Sequence, residues 1–255
     1  MRFASLGSGS RGNALLVEAG ATRLLLDCGF GPREIAARLC SLGLSPEDLS
    51  GILVTHEHSD HVAGACKVAV RHRLPIWMTH GTFAALPQEG REMPRVELID
   101  SHRPFQVCDL EIHPFPVPHD AREPVQFVFS DGEHRLGVAT DLGSSTPHVE
   151  RMLSGCDALV LECNHDVGML QGGGYPPHLK RRIAGRYGHL DNEAAASLLG
   201  ALETRGLQHL IAAHLSQQNN TPILAQSALA QVLGCTIDWV GVAGQEVGFG
   251  WRALL

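Results

Sequence analysis

Short apolar runs rich in valine, isoleucine and leucine alternate along the chain with segments whose apolar residues recur every three or four positions. The first pattern marks strands and the second marks amphipathic helices. Strands are expected at 14–18, 23–27, 51–55, 76–79, 110–115, 125–130, 134–140, 158–162 and 209–213, several of them reading as buried on both faces. Helices are expected at 32–41, 60–72, 147–153, 193–205 and 222–233. Thr221 and Pro222 supply an N-cap and a first-turn proline to the last of these, and 45–48 reads as a capping box over a short turn of helix. The glycine-rich stretch 171–175 is expected to be a mobile loop. With no linker, internal repeat or low-complexity tract, the chain reads as one α/β domain over 1–255.

Composition narrows the function classes. A chain of 255 residues is long enough to bury a sizeable core. Its 44% apolar and 18% charged residues are ordinary for a globular protein, whereas 15 histidines are many, which favours metal or acid-base chemistry. The net charge of −7 argues against a surface that grips nucleic acid indiscriminately, although it leaves room for a local basic strip. Seven cysteines, scattered and without a Cys-x-x-Cys pair, form neither a disulfide framework nor a zinc knuckle, in keeping with a reducing cytoplasm. The N-terminus lacks the pattern of a signal peptide, and no apolar run approaches the ~18 residues of a membrane span, so neither export nor membrane insertion is expected.

The strongest local signal is His56-Glu57-His58-Ser59-Asp60-His61, which follows the apolar run 52–55 and precedes a helical pattern. On an extended segment residues two apart share a face, so His56 and His58 can approach one ion together. Asp60 and His61 begin the next turn and can face a second ion. Imidazole with carboxylate suits zinc, with manganese or iron admissible. A histidine-rich turn can also be plain solvated surface, but four ligand-type residues in six positions weigh against that. Three more stand at or just beyond strand ends: His119, Asp141 and His214. Taken singly, His119 reads more readily as a surface loop histidine than as a ligand, and Asp141 as well as a helix cap.

In order and type these seven residues resemble the metallo-β-lactamase superfamily, whose pattern is His-x-His-x-Asp-His, then a lone His, an Asp and a final His. The resemblance implies a four-layer αββα sandwich with two divalent ions, Zn or Mn, held by loops at one edge of the sheets. By it His56, His58 and His119 hold one ion, Asp60, His61 and His214 the other, and Asp141 bridges. Asp27 matches the family's early acidic residue and would support a ligand rather than bind metal. Two such ions would lower the pKa of a bridging water and stabilise the oxyanion that forms. A flavodiiron-type redox role fits less well, because those relatives carry an acidic residue where His58 stands.

Three downstream segments, around Glu162, around Tyr175 to Leu190 and from His214 to Pro222, resemble the YycJ/WalJ branch of the superfamily, associated with exonuclease action on DNA. The resemblance implies a DNA substrate, a 5′ to 3′ polarity and, weakly, a homodimer. It also pairs Glu162 with His189 as an acid dyad, because a departing sugar alkoxide needs a proton. Either residue alone reads equally well as structural. Asp60, Glu162 and His189 are the residues on which catalysis is expected to depend. His165 reads as an acid-base group, a phosphate donor or a loop histidine. Lys180, Arg181 and Arg182, near Tyr175, read as a backbone-tracking run or as a solvated helical face. Ser216, Asn219 and Asn220 precede a helix N-terminus and either meet phosphate or cap. Where the branch usually reads Gly-His-Leu-Ser-Asn this chain has Asp191, which would repel a phosphate if the position contacts one and cap the next helix equally well if it does not. The alternative is a small-molecule hydrolase acting on a cyclic phosphate, lactone or thioester, and a third reading is a metal-bound sensor without turnover.

Overall fold

The computed structural model describes residues 1–87 and 93–255. The first half of the chain forms β1 (Arg2–Gly7), β2 (Ala14–Ala19), β3 (Thr22–Leu26), α1 (Pro32–Cys40), β4 (Gly51–Leu53), α2 (Ser59–Val62), α3 (Ala65–His72), β5 (Ile76–Thr79), α4 (His80–Ala85) and β6 (Val96–Ile99). The second half forms β7 (Phe105–Val107), β8 (Leu110–Pro116), β9 (Val125–Ser130), β10 (Arg135–Ala139), α5 (Pro147–Leu153), β11 (Ala158–Glu162), α6 (Val167–Gly172), α7 (Pro177–Ile183), α8 (Asn192–Gly200), β12 (His209–Ala213), α9 (Pro222–Leu233), β13 (Gly241–Val242) and β14 (Phe249–Ala253). Strand order is β14-β1-β2-β3-β4-β5-β6 in one sheet and β13-β12-β11-β10-β9-β8-β7 in the other.

The strand sequences dictate the layering. Along β2 and β3, Leu15, Val17, Leu24 and Leu26 point into the core between the sheets, while Leu16 and Leu25 point outward against Ile35 and Leu39 of α1 and Val68 of α3. The second sheet repeats the arrangement. Phe127, Phe129, Val138, Val160 and Ile211 face the inter-sheet core, and Val128, Leu159, Leu161 and Leu210 face α5, α8 and α9. Successive residues of a strand point to opposite faces, so strands apolar at every position need cover on both sides. The result is the four-layer αββα sandwich, and burying these side chains is its main stabilising term.

Two expected helices differ in extent. The segment 60–72 is broken into α2 and α3, because Gly64 lies so close to the β3–α1 loop that a Cβ there would sit 1.8 Å from the Phe30 carbonyl oxygen. Its amide donates to Cys28 O (2.8 Å), and only glycine permits that approach. Helix α8 ends at Gly200 rather than at 205, where the chain turns through Thr204 to Leu207. The segment 171–175 also begins inside α6 instead of being loop throughout. The capping box at 45–48 is present, with the Asp48 carboxylate accepting from the Ser45 amide at 2.7 Å. Among the described residues no helix is long and apolar enough to cross a membrane.

Candidate metal centre

Strands β3, β4, β10, β11 and β12 end at one edge of the sandwich, and the ligand-type residues stand at those ends. Asp27 and His214, each the residue after a strand, and Asp141, the second residue after β10, adopt left-handed backbone with φ of 60°, 56° and 55°. Such a conformation costs a non-glycine residue about 1–3 kcal/mol and tends to persist where side-chain placement requires it. Here it turns the chain off the strand while aiming the side chain along the edge.

His56, His58 and His119 bring one ring nitrogen each to within 4.8 Å of one another. Their other nitrogens are taken. His119 Nδ1 lies 2.9 Å from Gly188 O, an acceptor only, so Nδ1 carries the proton and Nε2 keeps a lone pair. His58 Nε2 lies 3.2 Å from Asp120 O by the same logic, leaving Nδ1. His56 Nδ1 is 2.9 Å from Thr55 Oγ1, and His56 Nε2 is buried with no hydrogen-bond partner. Burial, then the charge of His61, holds the His56 imidazole well below its usual pKa, and burial likewise lowers His119. Both are neutral at pH 7, the form that binds a cation.

Asp60, His61, Asp141 and His214 form a second such group. Asp27, fully buried, accepts from the Thr55 amide (2.8 Å) and from His61 Nδ1 (2.7 Å), so His61 turns Nε2 toward Asp141 (3.0 Å) and Asp60 (3.3 Å). His214 approaches Asp60 through Nε2 (3.4 Å) and Glu162 through Nδ1 (3.3 Å). Asn13 Nδ2 donates to Asp60 Oδ2 (3.2 Å). Burial opposes charge on His61 and His214, but Asp141 and its neighbouring carboxylates outweigh it, raising His61 well above its usual value and pushing His214 up to about 10.

Glu162 and His189 form a third element, grouped with Asp141 and His214. Glu162 has no exposed surface. Its Oε1 is 2.7 Å from His189 Nδ1, and its Oε2 accepts from the amides of Leu142 (2.8 Å) and Leu190 (3.1 Å). Burial would raise its pKa, but the charge and hydrogen bond of His189 prevail and hold the carboxyl at about 2. In return, burial lowers His189 while Glu162 raises it, and the net shift is upward.

A cavity of about 380 Å³ opens over this edge, with Asp60, Asp141, His189 and His214 in its lining. His58 lines it too, and of the residues singled out in the sequence as substrate contacts Tyr175, Arg182 and Ser216 do so, Arg182 with its Nε 2.5 Å from Asp120 Oδ2. The rest do not. Lys180 bonds Gln171 O (2.6 Å), and Arg181 is exposed on α7. His165 is buried beside Asn164 Oδ1 (3.3 Å). Asn219 packs on Ser216, and Asn220 donates to Cys163 O (2.8 Å) while pairing with Asn192. Asp191 caps α8 by accepting from the Ala194 amide (2.8 Å). Sequence reasoning passed over Thr55, Asn13, Asp120 and Asn164, which orient the histidines and Asp60. As generic polar residues they carried no signal except adjacency to a ligand.

The donor set fits a divalent cation. His56 Nε2 and Asp141 Oδ2 are buried without hydrogen-bond partners at the point where the groups converge, and imidazole with carboxylate is the chemistry such ions take. Four carboxylates, Asp27, Asp60, Asp141 and Glu162, make the edge favour cations, and protons on His61 and His214 compete for the same nitrogens.

The β-lactamase superfamily domain matches residues 22–215. The chain is 36% identical to the exodeoxyribonuclease YycJ of Bacillus anthracis over 98% of its length and 91% of that protein. It is 30% identical to the exodeoxyribonuclease WalJ of Streptococcus pneumoniae, over 94% and 91%. The metallo-β-lactamase fold protein YhfI of Bacillus subtilis superposes with a TM-score of 0.74 over 98% of both chains at 18% identity, a likeness of fold alone.

Proposed function

Because this chain belongs to the β-lactamase superfamily, within its YycJ/WalJ branch, we propose that it is a metal-dependent DNA exonuclease working 5′ to 3′ in a single domain. The observation that carries the chemistry is that Asp141 stands in one group with Asp60, His61 and His214 and in another with Glu162, His189 and His214, while the His56–His58–His119 group approaches it through His119 Nε2, 3.9 Å from Asp141 Oδ1. The near full-length similarity to two exodeoxyribonucleases supports the DNA substrate.

In this reading His56, His58 and His119 would hold one cation and Asp60, His61 and His214 a second, zinc or manganese, with Asp141 serving the same centre. When bound, the cations supply a hydroxide nucleophile at neutral pH and stabilise negative charge on the phosphoryl oxygens. The chain's own residues do the rest. Thr55, Asp27, Asp120 and the Gly188 carbonyl fix the rings so that one lone pair of each faces inward. Glu162 Oε1 accepts from His189 Nδ1 and keeps the ring protonated. As the oxygen of water bonds to phosphorus and the P–O3′ bond breaks, the Nε2 proton of His189 passes to O3′, so that the terminal nucleotide leaves as an alcohol and the phosphate stays on the retained strand.

End-labelled DNA incubated with the Mn²⁺-loaded protein tests this. Release of mononucleotides that is lost in Asp60→Ala and His189→Ala is expected. Inert DNA beside active hydrolysis of bis(p-nitrophenyl) phosphate would instead assign the site to a small phosphodiester.

A further inference from the structure

A second cavity, of about 480 Å³, lies between α2–α3 and the end of α4. Its walls are mainly apolar: Val62, Ala63, Val70, Ala85 and Leu86. Ser59 lines both this cavity and the one over the metal centre, so the two share a wall beside Asp60. Lys67 and Arg71 stand at its rim, exposed and in no ion pair among the described residues. Four positions apart on α3, they lie on one helix face about 5–6 Å apart at Cβ. Glu57, whose Oε1 accepts from the Arg122 amide (2.7 Å), also lines the trough, so its charged groups sum to one net positive charge on a chain of net charge −7.

We propose that this trough holds the retained strand of the DNA substrate, taking the base of the first retained nucleoside between its apolar walls while Lys67 and Arg71 contact the phosphates that follow. The inference rests on the nuclease reading and adds the direction of the strand. The leaving O3′ must lie on the side of His189, which lines the first cavity with Tyr175, Leu179 and Arg182. With water attacking in line opposite O3′, O5′ of the retained nucleoside lies in the equatorial plane between them and can turn away from His189 toward Ser59, which lines both cavities and opens into the trough. Apolar walls take a base face without reading its identity, and the two cations match successive phosphates in charge.

The test is the KM of the Mn²⁺-loaded enzyme for a single-stranded oligonucleotide across a salt series, for wild type, Lys67→Ala/Arg71→Ala, Ala85→Trp and Arg205→Glu. Each phosphate contact contributes ~0.7 to the slope of log affinity against log salt on single strands, so the double variant should flatten the slope by ~1.4. Its KM at low salt should rise by roughly tenfold or more, with kcat moving much less. Ala85→Trp, which fills the trough, should raise KM and keep the slope. Arg205→Glu makes the same change in net charge beside Glu203, away from the trough, and should leave both as in wild type. Wild-type KM and slope in the double variant, on an enzyme that degrades DNA, would overturn the trough alone. An equal effect from Arg205→Glu would also overturn it, by making net charge the cause. A wild-type enzyme inert on DNA but active on bis(p-nitrophenyl) phosphate would overturn the nuclease reading itself.

Discussion

At the edge where β2 turns into β3 and β7 into β8, Asp109 accepts from the Ala21 amide and the Thr22 hydroxyl, both at 3.0 Å. Along the same edge Asp131 accepts from the His134 amide (2.8 Å) and meets the N-terminal ammonium (2.8 Å), and Asp157 accepts from the Arg135 amide (2.7 Å). The opposite edge also carries aspartates at strand ends, Asp27 and Asp141, but these face histidines, sit in left-handed backbone and leave Asp141 Oδ2 buried without a hydrogen bond. The same residue type thus closes turns at one end of the sheets and gathers cation-binding nitrogens at the other. Left-handed backbone occurs at both edges, as at Cys108 (φ 47°) beside Asp109, so what marks the edge that works is its polar atoms buried without hydrogen-bond partners where the ligand groups converge, His56 Nε2 and Asp141 Oδ2.

The sharpest break in that contrast is Asp141→Asn. It removes the carboxylate common to the Asp60–His61–His214 and Glu162–His189–His214 groups, and bound metal measured by elemental analysis should drop. DNA cleavage should fall by about a thousandfold or more, since the cations supply several kcal/mol of transition-state stabilisation. Wild-type metal content with wild-type rate would remove Asp141 from the site.

His189→Ala comes next, at ~10²–10⁴-fold on DNA. On bis(p-nitrophenyl) phosphate, whose leaving group needs no proton, the same variant should lose far less; equal losses on both substrates would exclude a general-acid role. The pH profile sharpens the point. Burial lowers His189 but Glu162 raises it above its usual value, so activity should fall as pH climbs through that raised value. Glu162→Gln withdraws the support, and the alkaline fall should begin at lower pH.

Much of this edge is legible in the amino-acid sequence. The seven ligand-type residues are rare types at fixed offsets behind apolar runs, and those runs are legible because interior strands of a sandwich are apolar on both faces. Apart from β1, the strands that the pattern leaves out are β6, β7, β13 and β14, and these are the four sheet edges. An edge strand is covered on fewer sides, so Val96–Ile99 and Phe249–Ala253 carry mostly half-buried or exposed residues and no continuous apolar run. In β1 the residues Ala4, Ser5 and Gly7 are too small to signal a strand although they are buried. Helix α7 buries no residue and so shows no amphipathic stripe. Asp27 was readable as a support, whereas Thr55 and Asp120 act through contacts that only the fold creates.

Asp27→Asn probes such support without touching the ligands' identity. Weakening the Nδ1–H acceptor of His61 should lower metal affinity by about 10–100-fold, read by competition with a chromogenic chelator, with activity restored at high metal concentration. Failure of excess metal to restore activity would mean that Asp27 does more than orient His61.

The smallest effect belongs to the other edge. Asp131 is held at about 2, below its usual 3.8; burial opposes the shift, and the N-terminal ammonium with the amides of His134 and Glu133 overcomes it. A carboxyl whose folded pKa is depressed adds stability that is complete above the unfolded value and is lost as pH falls through the folded one. Asp131→Asn should therefore lower Tm at neutral pH by no more than about 2–4 °C, the scale of one partly exposed ion pair in a chain of this size. The gap between variant and wild type should close between pH 4 and pH 2, as the wild-type carboxyl takes up its proton. Cleavage of DNA should be untouched. A loss of activity in this variant would mean that the turn-closing edge and the metal edge are coupled through β10, and the division of labour between the two ends would fail.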